Sequence, residues 1–246
     1  MLFLIGFLVI GLLGSLTSTC KEEQTADNKL TKQERKNGWM LMFDGKTFNG
    51  WRGLQSKPIS ENWQVKDNTI QVGGGITYTP GDILFDKKFR NFHLKFEWRV
   101  AKGANSGVYY LAQELHPTSL VPGSVEYQIL DNISYPDNGA LHASASLYDM
   151  VAAEPQNAKP TNEWNTGEII VNNGEVVHMQ NGVVVVKYRL WTKEWEDMVN
   201  SSKFKGTDAI INLGGKNHEG YIGLQYHGGI EKDDYVWFKN LKIKVL

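Results

Sequence analysis

Between Phe92 and Val100 the chain reads FHLKFEWRV, with His93, Lys95, Glu97 and Arg99 alternating against Leu94, Phe96, Trp98 and Val100. A period of two marks a β-strand with one face in a core and the other toward water or a ligand. GANSGVYYLAQ follows, then SVEYQILDN, a second alternating strand that sets Glu126 and Gln128 on one face and Tyr127 and Ile129 on the other. WMLMFDG and GWRG precede these, and ENWQVKDNTIQV reads as two strands around Asp67-Asn68. EIIVNNGEVVHMQNGVVVVKYRL predicts a three-strand meander turning at Asn173-Gly174 and Asn181-Gly182, dipeptides that accept the left-handed φ of tight hairpins. GYIGLQYH and YVWFKNLKIKVL add two more strands. Helical spacing occurs in WTKEWEDMVNSSKF (191–204), where Trp191, Trp195, Met198 and Val199 fall at i, i+4, i+7 and i+8, predicting a short peripheral helix. Residues 131–160 are polar and weakly patterned, which predicts long loops of the kind that line a site. A dozen short strands without βαβ alternation predict an all-β sandwich of two antiparallel sheets, one of them curved.

Composition narrows the picture. At 246 residues and 41% hydrophobic content the chain is sized for one domain with one core. The 25 glycines, 8 tryptophans and 10 tyrosines suit a turn-rich β protein. A formal net charge of −1 gives no electrostatic reason to expect nucleic acid as a partner. The single cysteine, Cys20, excludes an internal disulfide framework. Met1–Leu16 is almost wholly apolar, then Thr17-Ser18-Thr19 lead into Cys20 and the chain turns polar at Lys21. This resembles a bacterial lipoprotein signal, although no Lys or Arg precedes the apolar run and Thr17 stands where leucine is usual. The expectation is an exported chain: a signal at 1–19, a lipidated Cys20 that anchors it to a membrane, a polar tether over 20–37 whose charged residues 21–37 read as a tether or a short exposed helix, and a folded domain over 38–246. The periplasm or the outer membrane of a bacterium would be its location; an ordinary cleaved signal or a short anchor is the alternative.

Candidate chemistry sits on the polar strand faces. Glu126 and Gln128 share one face, and Asn105-Ser106-Gly107 is a polar corner feeding an aromatic strand. Gln225 and His227 alternate with Leu224 and Tyr226, and His178 alternates with Gln180 in the same way. Each has a plainer explanation, a solvated face or a core histidine, and only their convergence in one cleft would argue for chemistry. Glu126, Asp131, His178 and His227 are of ligand type for a divalent ion, but no spacing demands one, so metal identity stays open and no cofactor is certain. GxSxG, HExxH, CxxC, phosphate-loop and dinucleotide motifs do not occur.

Taken in order, GWMLMFDGKTFNGW, NFHLKFEWRVAKGANSGVYYLAQ, EYQILD, SLYD, NEWNTGEIIVNNGEVVHMQNG and GYIGLQYHGG…VWFKNLKIK resemble the 3-keto-disaccharide hydrolase-like domain family, described as 3-keto-glucoside 1,2-lyases and 3-keto-2-hydroxy-glucal hydratases. The resemblance covers roughly 38–246 and departs in the loop HASASLYD before Tyr148, where glycine-alanine is common. It implies a concanavalin-like jelly roll with the site on the concave sheet. It also implies a 3-keto-glucoside or related sugar as the partner. A ketone at carbon 3 acidifies the proton on carbon 2, so a base can remove it and the group on carbon 1 leaves by elimination. On that chemistry Glu126 or His178 is expected as base, and His227 or Tyr148 as acid. Arg99 and Asn105 are expected to bind oxyanion and hydroxyls, Gln128, Asn165 and Gln225 to hold sugar hydroxyls, and Trp164 to stack on the ring. A non-catalytic carbohydrate-binding lipoprotein is the rival. A conventional glucanase would need an E-x-D-x-x-E run, which this sequence lacks.

Overall fold

A computed structural model describes residues 26–74, 81–228 and 233–246. The chain order is β1 (Trp39–Leu41), β2 (Trp51–Gly53), β3 (Trp63–Lys66), β4 (Thr69–Val72), β5 (Ile83–Phe89), β6 (Phe92–Val100), β7 (Asn105–Ala112) and β8 (Val125–Leu130). It continues with β9 (Asn165–Asn172), β10 (Glu175–Gln180), β11 (Val183–Arg189), β12 (Gly220–Leu224) and β13 (Val236–Val245). Among the described residues three short α-helices, α1 (Lys32–Lys36), α2 (Lys193–Asn200) and α3 (Asp208–Ile211), lie outside the strands. The strands form two antiparallel sheets. One has eight strands in the order β11-β10-β9-β6-β13-β4-β3, with β1 also paired to β13. The other has five, β2-β5-β12-β7-β8. The all-β sandwich expected from the patterning is therefore present.

The predicted hairpins turn where left-handed backbone is available. Asp67 and Asn68 take φ of 50° and 59°, Asn173-Gly174 50° and 85°, and Asn181-Gly182 50° and 79°, the positive-φ pairs that match the twist of the flanking strands. Between the sheets, Leu94, Phe96 and Trp98 of β6 face Tyr127 and Ile129 of β8 and Val108 and Tyr110 of β7, all buried. Phe96 meets Tyr127 edge-on at 5.2 Å between ring centres. Each such side chain contributes about 1.5–3 kcal/mol through burial. The expected helix at 191–204 is shorter, Lys193–Asn200, because Thr192 caps it by accepting from the Trp195 amide and Ser201 closes it. Of its apolar stripe, Trp195 and Val199 are buried and Met198 packs partly buried, while Trp191 stands before the helix at φ of 60°; Trp195 stacks on Tyr188 of β11.

Of the two expectations for the segment before residue 38, tether or short exposed helix, the helix is present as α1, with no buried residue, and the chain around it is fastened rather than free. From Asp27 the chain is fastened across the outer face of the eight-stranded sheet. Asn28 and Asn240 each accept the other's backbone N–H, at 2.6 and 2.8 Å, and Asn28 Nδ2 donates to the Asn68 carbonyl. Thr31 and Glu34 form a reciprocal capping box on α1, and Glu34 pairs with Lys242. Short polar residues gave no hydrophobic signal there; what holds the segment is side-chain-to-backbone hydrogen bonding. Residues 1–25, with the expected signal and Cys20, lie outside the described residues.

Candidate active site

The outer face of the five-stranded sheet carries a cavity of about 350 Å³. Its floor is made by alternate residues: Asn105 and Tyr109 from β7, Glu126 and Gln128 from β8, and Gln225 and His227 just beyond β12. Loops wall it with Thr118 and Ser119, with Tyr148, and with Lys203 and Phe204. One wall exists because β8 is an edge strand. The Ala145 amide donates to the Gln128 carbonyl, the Gln128 amide to Ser146, and the Tyr148 amide to the Glu126 carbonyl, at 2.8, 3.2 and 3.2 Å. Residues 145–148 thus run along the free edge and deliver Tyr148 to the cavity. Ala145 sits at φ of 67°, a conformation that favours glycine. That strain lies in the loop whose sequence departs from the family pattern.

Glu126 is a buried carboxyl on the floor, with 6% of its surface exposed. Space for its carboxyl is left by Gly107: a Cβ there would lie 2.0 Å from Glu126 Oε1. The NSG corner noted in the sequence is thus a recess for a glutamate. Oε1 has no hydrogen-bond partner among the described residues. Burial, reinforced by the negative charge of Asp82, pushes the Glu126 pKa up to about 8, with Lys203 opposing. Asp82 lines the same cavity and was not foreseen. It is buried just before β5, accepts N–H from Leu120 at 2.8 Å and Tyr226 at 3.0 Å, and burial raises it to about 6. Its only trace in the sequence is an aspartate opening the apolar run DILF, and that reads equally well as a turn residue.

His227 is exposed at the rim, yet enough water is displaced from its ring that desolvation lowers its pKa. Its Nδ1 lies 3.4 Å from the Tyr135 hydroxyl. Lys203, also unforeseen, holds its ammonium 3.8 Å from the Tyr148 ring centre. A polar brace fixes this wall: His142 bridges Asp137 at 2.8 Å and Asp149 at 2.9 Å, Asp149 also accepts the Lys203 amide at 2.7 Å, and the His142 ring lies 4.6 Å from Tyr148. Burial alone would lower His142, but its two carboxylate partners outweigh that and raise its pKa. On the floor, Gln225 Nε2 donates to the Tyr109 hydroxyl. Asn105 Oδ1 and Gln225 Oε1, like Glu126 Oε1, have no donor among the described residues.

Of the ten expected site residues, six meet here: Asn105, Glu126, Gln128, Tyr148, Gln225 and His227. The other four do not. His178 of β10 is wholly buried between the sheets, with Nε2 2.7 Å from the Tyr110 hydroxyl and Nδ1 2.9 Å from the Ala145 carbonyl. Desolvation drives its pKa down to about 4, so it is a neutral core group beyond reach of a ligand. Arg99 belongs to the eight-stranded sheet and points outward, its guanidinium 4.9 Å from the Trp164 ring and 4.3 Å from the Trp237 ring. Trp164 is covered by Arg99 and by Lys239 at 4.6 Å, away from the cavity. Asn165 is buried and organises a loop, Oδ1 accepting from the Lys159 amide and Asn181 Nδ2, each at 2.8 Å. The suggested metal set is dispersed as well: Asp131 binds the Gly103 and Ile133 amides at 2.9 and 3.0 Å, and His178 is in the core. Among the described residues no group of three or more His, Cys, Asp or Glu side chains could hold a metal ion.

Comparison with known proteins agrees with the motif order. Residues 38–244 match the family model described as a 3-keto-α-glucoside-1,2-lyase-like domain. A 3-keto-disaccharide hydrolase of Bacteroides thetaiotaomicron is 45% identical over 233 residues, covering 85% of this chain and 79% of that protein. A crystal structure from Parabacteroides distasonis, described provisionally as a glycosyl hydrolase, superposes with a TM-score of 0.76 at 30% identity over 90% of this chain and all of that one. A second from the same organism, at 22% identity and a TM-score of 0.66 over 85% of this chain, shares the fold. With a two-sheet sandwich, a polar cavity on its smaller sheet and these matches, the chain belongs to the 3-keto-α-glucoside-1,2-lyase-like domain family.

Proposed function

We propose that this protein is an exported carbohydrate-active enzyme that cleaves 3-keto-glucosides by 1,2-elimination and hydrates the resulting 3-keto-2-hydroxy-glucal. The observation that carries the reading is the set of acceptors without donors in one cavity: Glu126 Oε1, Asn105 Oδ1 and Gln225 Oε1. Buried acceptors are costly unless matched. A sugar ring matches all three at once, its hydroxyls donating to the two amide oxygens and its glycosidic oxygen accepting from the Glu126 carboxyl.

Glu126 takes a different role from the one expected of it. At neutral pH a carboxyl raised to about 8 holds its proton, which suits donation to the departing glycosidic oxygen. His227, kept neutral by desolvation, is the imidazole that takes the proton from carbon 2. As that C–H bond breaks, its electron pair forms the C1–C2 double bond and the C1–O bond opens. Charge on the carbon-3 oxygen is met by the Lys203 ammonium. Hydration uses the same pair reversed: the Glu126 carboxylate takes a proton from water adding at carbon 1, and the His227 imidazolium returns one to carbon 2. Support for the substrate comes from the relative's activity and the family match.

The N-terminal apolar run and Cys20 support delivery as a lipoprotein, with the signal at 1–19 removed and a lipid on Cys20. The test of the catalytic reading is Glu126→Gln on a 3-keto-glucoside with a poor leaving group. Loss of turnover by about 10²–10⁴-fold is expected, with ligand binding retained. Turnover within a few-fold of the parent chain would remove Glu126 from the reaction.

A further inference from the structure

The N-terminal strap constrains which way the domain faces. Asp27 accepts from Lys239 Nζ at 2.9 Å and from Asn240 Nδ2 at 3.0 Å, and Asn28, 4% exposed, is locked to Asn240 and Asn68. These partners lie on β13 and the β3–β4 turn, so Asp27 and Asn28 dock on the outer face of the eight-stranded sheet. The Glu126 cavity lies on the outer face of the other sheet. Seven residue steps separate Cys20 from Asp27, a leash of at most about 25 Å. A domain of this size has a radius of gyration of about 17 Å, hence an equivalent sphere of about 22 Å radius and a path of about 70 Å around it from one face to the other. The leash is too short by more than twofold to let the domain turn over.

We infer that the outer face of the eight-stranded sheet is held against the lipid bilayer in which Cys20 is anchored, so that the Glu126 cavity opens away from the membrane. This rests on the lipoprotein reading given above. The face has chemistry suited to a headgroup region. Half-buried Trp39, Trp164 and Trp237 are overlaid by the cationic heads of Lys95, Lys239 and Arg99, and such amphipathic aromatic and basic groups favour the membrane–water interface. An outward cavity gives a soluble sugar direct access.

The test uses the full chain, expressed in a bacterial host, purified from membranes and reconstituted into phosphatidylcholine–phosphatidylglycerol vesicles containing a nitroxide-headgroup lipid. Lys66→Cys places a label beside the β3–β4 turn, and Lys205→Cys places one next to Phe204 at the cavity wall. The parent chain should take no label, since lipid occupies its Cys20 thiol. A fluorophore at position 66 is expected to be quenched several-fold more than one at position 205. Inserting about twenty Gly/Ser residues between Cys20 and Asp27 lengthens the leash to about 95 Å and should bring the two signals together. Equal or reversed quenching at native length overturns the proposal, as does a parent chain that labels at Cys20 or fails to stay with the vesicles. Turnover of a 3-keto-glucoside by the same vesicles is read separately. A normal quenching ratio without turnover would sink the reaction and leave the orientation standing.

Discussion

A glutamate in the middle of a strand is tolerated where something else takes up the cost of burying it, and at Glu126 that cost is met by keeping the proton. Its folded pKa of about 8 lies above the ordinary carboxylate value, so the folded state binds the extra proton between about 4.5 and 8. Stability must fall as pH rises through that window. Glu126→Gln, which cannot ionise, should therefore melt higher than the parent chain at pH 9 and nearly with it at pH 4; calorimetry at both pH values checks this. Asp82 contributes through its negative charge. Asp82→Asn should move the alkaline limb of the rate profile to lower pH, because Glu126 would give up its proton more readily; an unmoved limb would separate the two carboxyls. Gly107→Ala tests the recess under Glu126, since the added Cβ would meet Oε1 at 2.0 Å. A loss of turnover comparable to that of Glu126→Gln is expected, because the carboxyl must leave its place.

At the scale of elements, the sandwich divides polar groups into two sets that the strand patterns could not tell apart. The alternation of β6 and of β8 was legible in the sequence, as were the three hairpins and the helix at α2, though not its cap. Which sheet each strand joins was not. Arg99 and Glu126 both face away from the core, but from opposite sides of the molecule. Strand order is fixed by long-range pairing, and no local periodicity encodes it. His178 was misplaced for a related reason: on β10 it occupies the core face between Val176 and Gln180, and its neighbours Tyr110 and Ala145 come from distant segments. Lys203 and Asp82 were missed because each reaches the cavity from a loop. The role proposed for His178 is structural. His178→Leu should cost about 1–3 kcal/mol for the buried Ala145 carbonyl it leaves unpaired, the Tyr110 hydroxyl keeping its bond to Tyr188, and should leave KM unchanged. With a folded pKa of about 4, the histidine also makes the parent chain lose stability as pH falls from about 6.5 toward 4, a loss that melting curves of the leucine variant should lack.

For the molecule as a whole, we propose that the eight-stranded sheet serves attachment and the five-stranded sheet the chemistry. The strap from Asp27 to Lys36 and the cavity over β7, β8 and β12 lie on opposite outer faces, with the apolar core between them. Asn28→Ala should therefore loosen the N-terminal segment and lower the melting temperature without altering turnover in the detached domain; a changed rate would mean that the two faces communicate. The central claim is that the cavity breaks the glycosidic bond by elimination through a proton on carbon 2. Its most direct test is to mix the protein with a 3-keto-glucoside and follow ultraviolet absorbance while the released alcohol is measured. The elimination predicts transient enone absorbance that rises with alcohol release, decays as water adds, and disappears in Glu126→Gln. Alcohol released with no enone at any time, or saturable binding with no release, would contradict it.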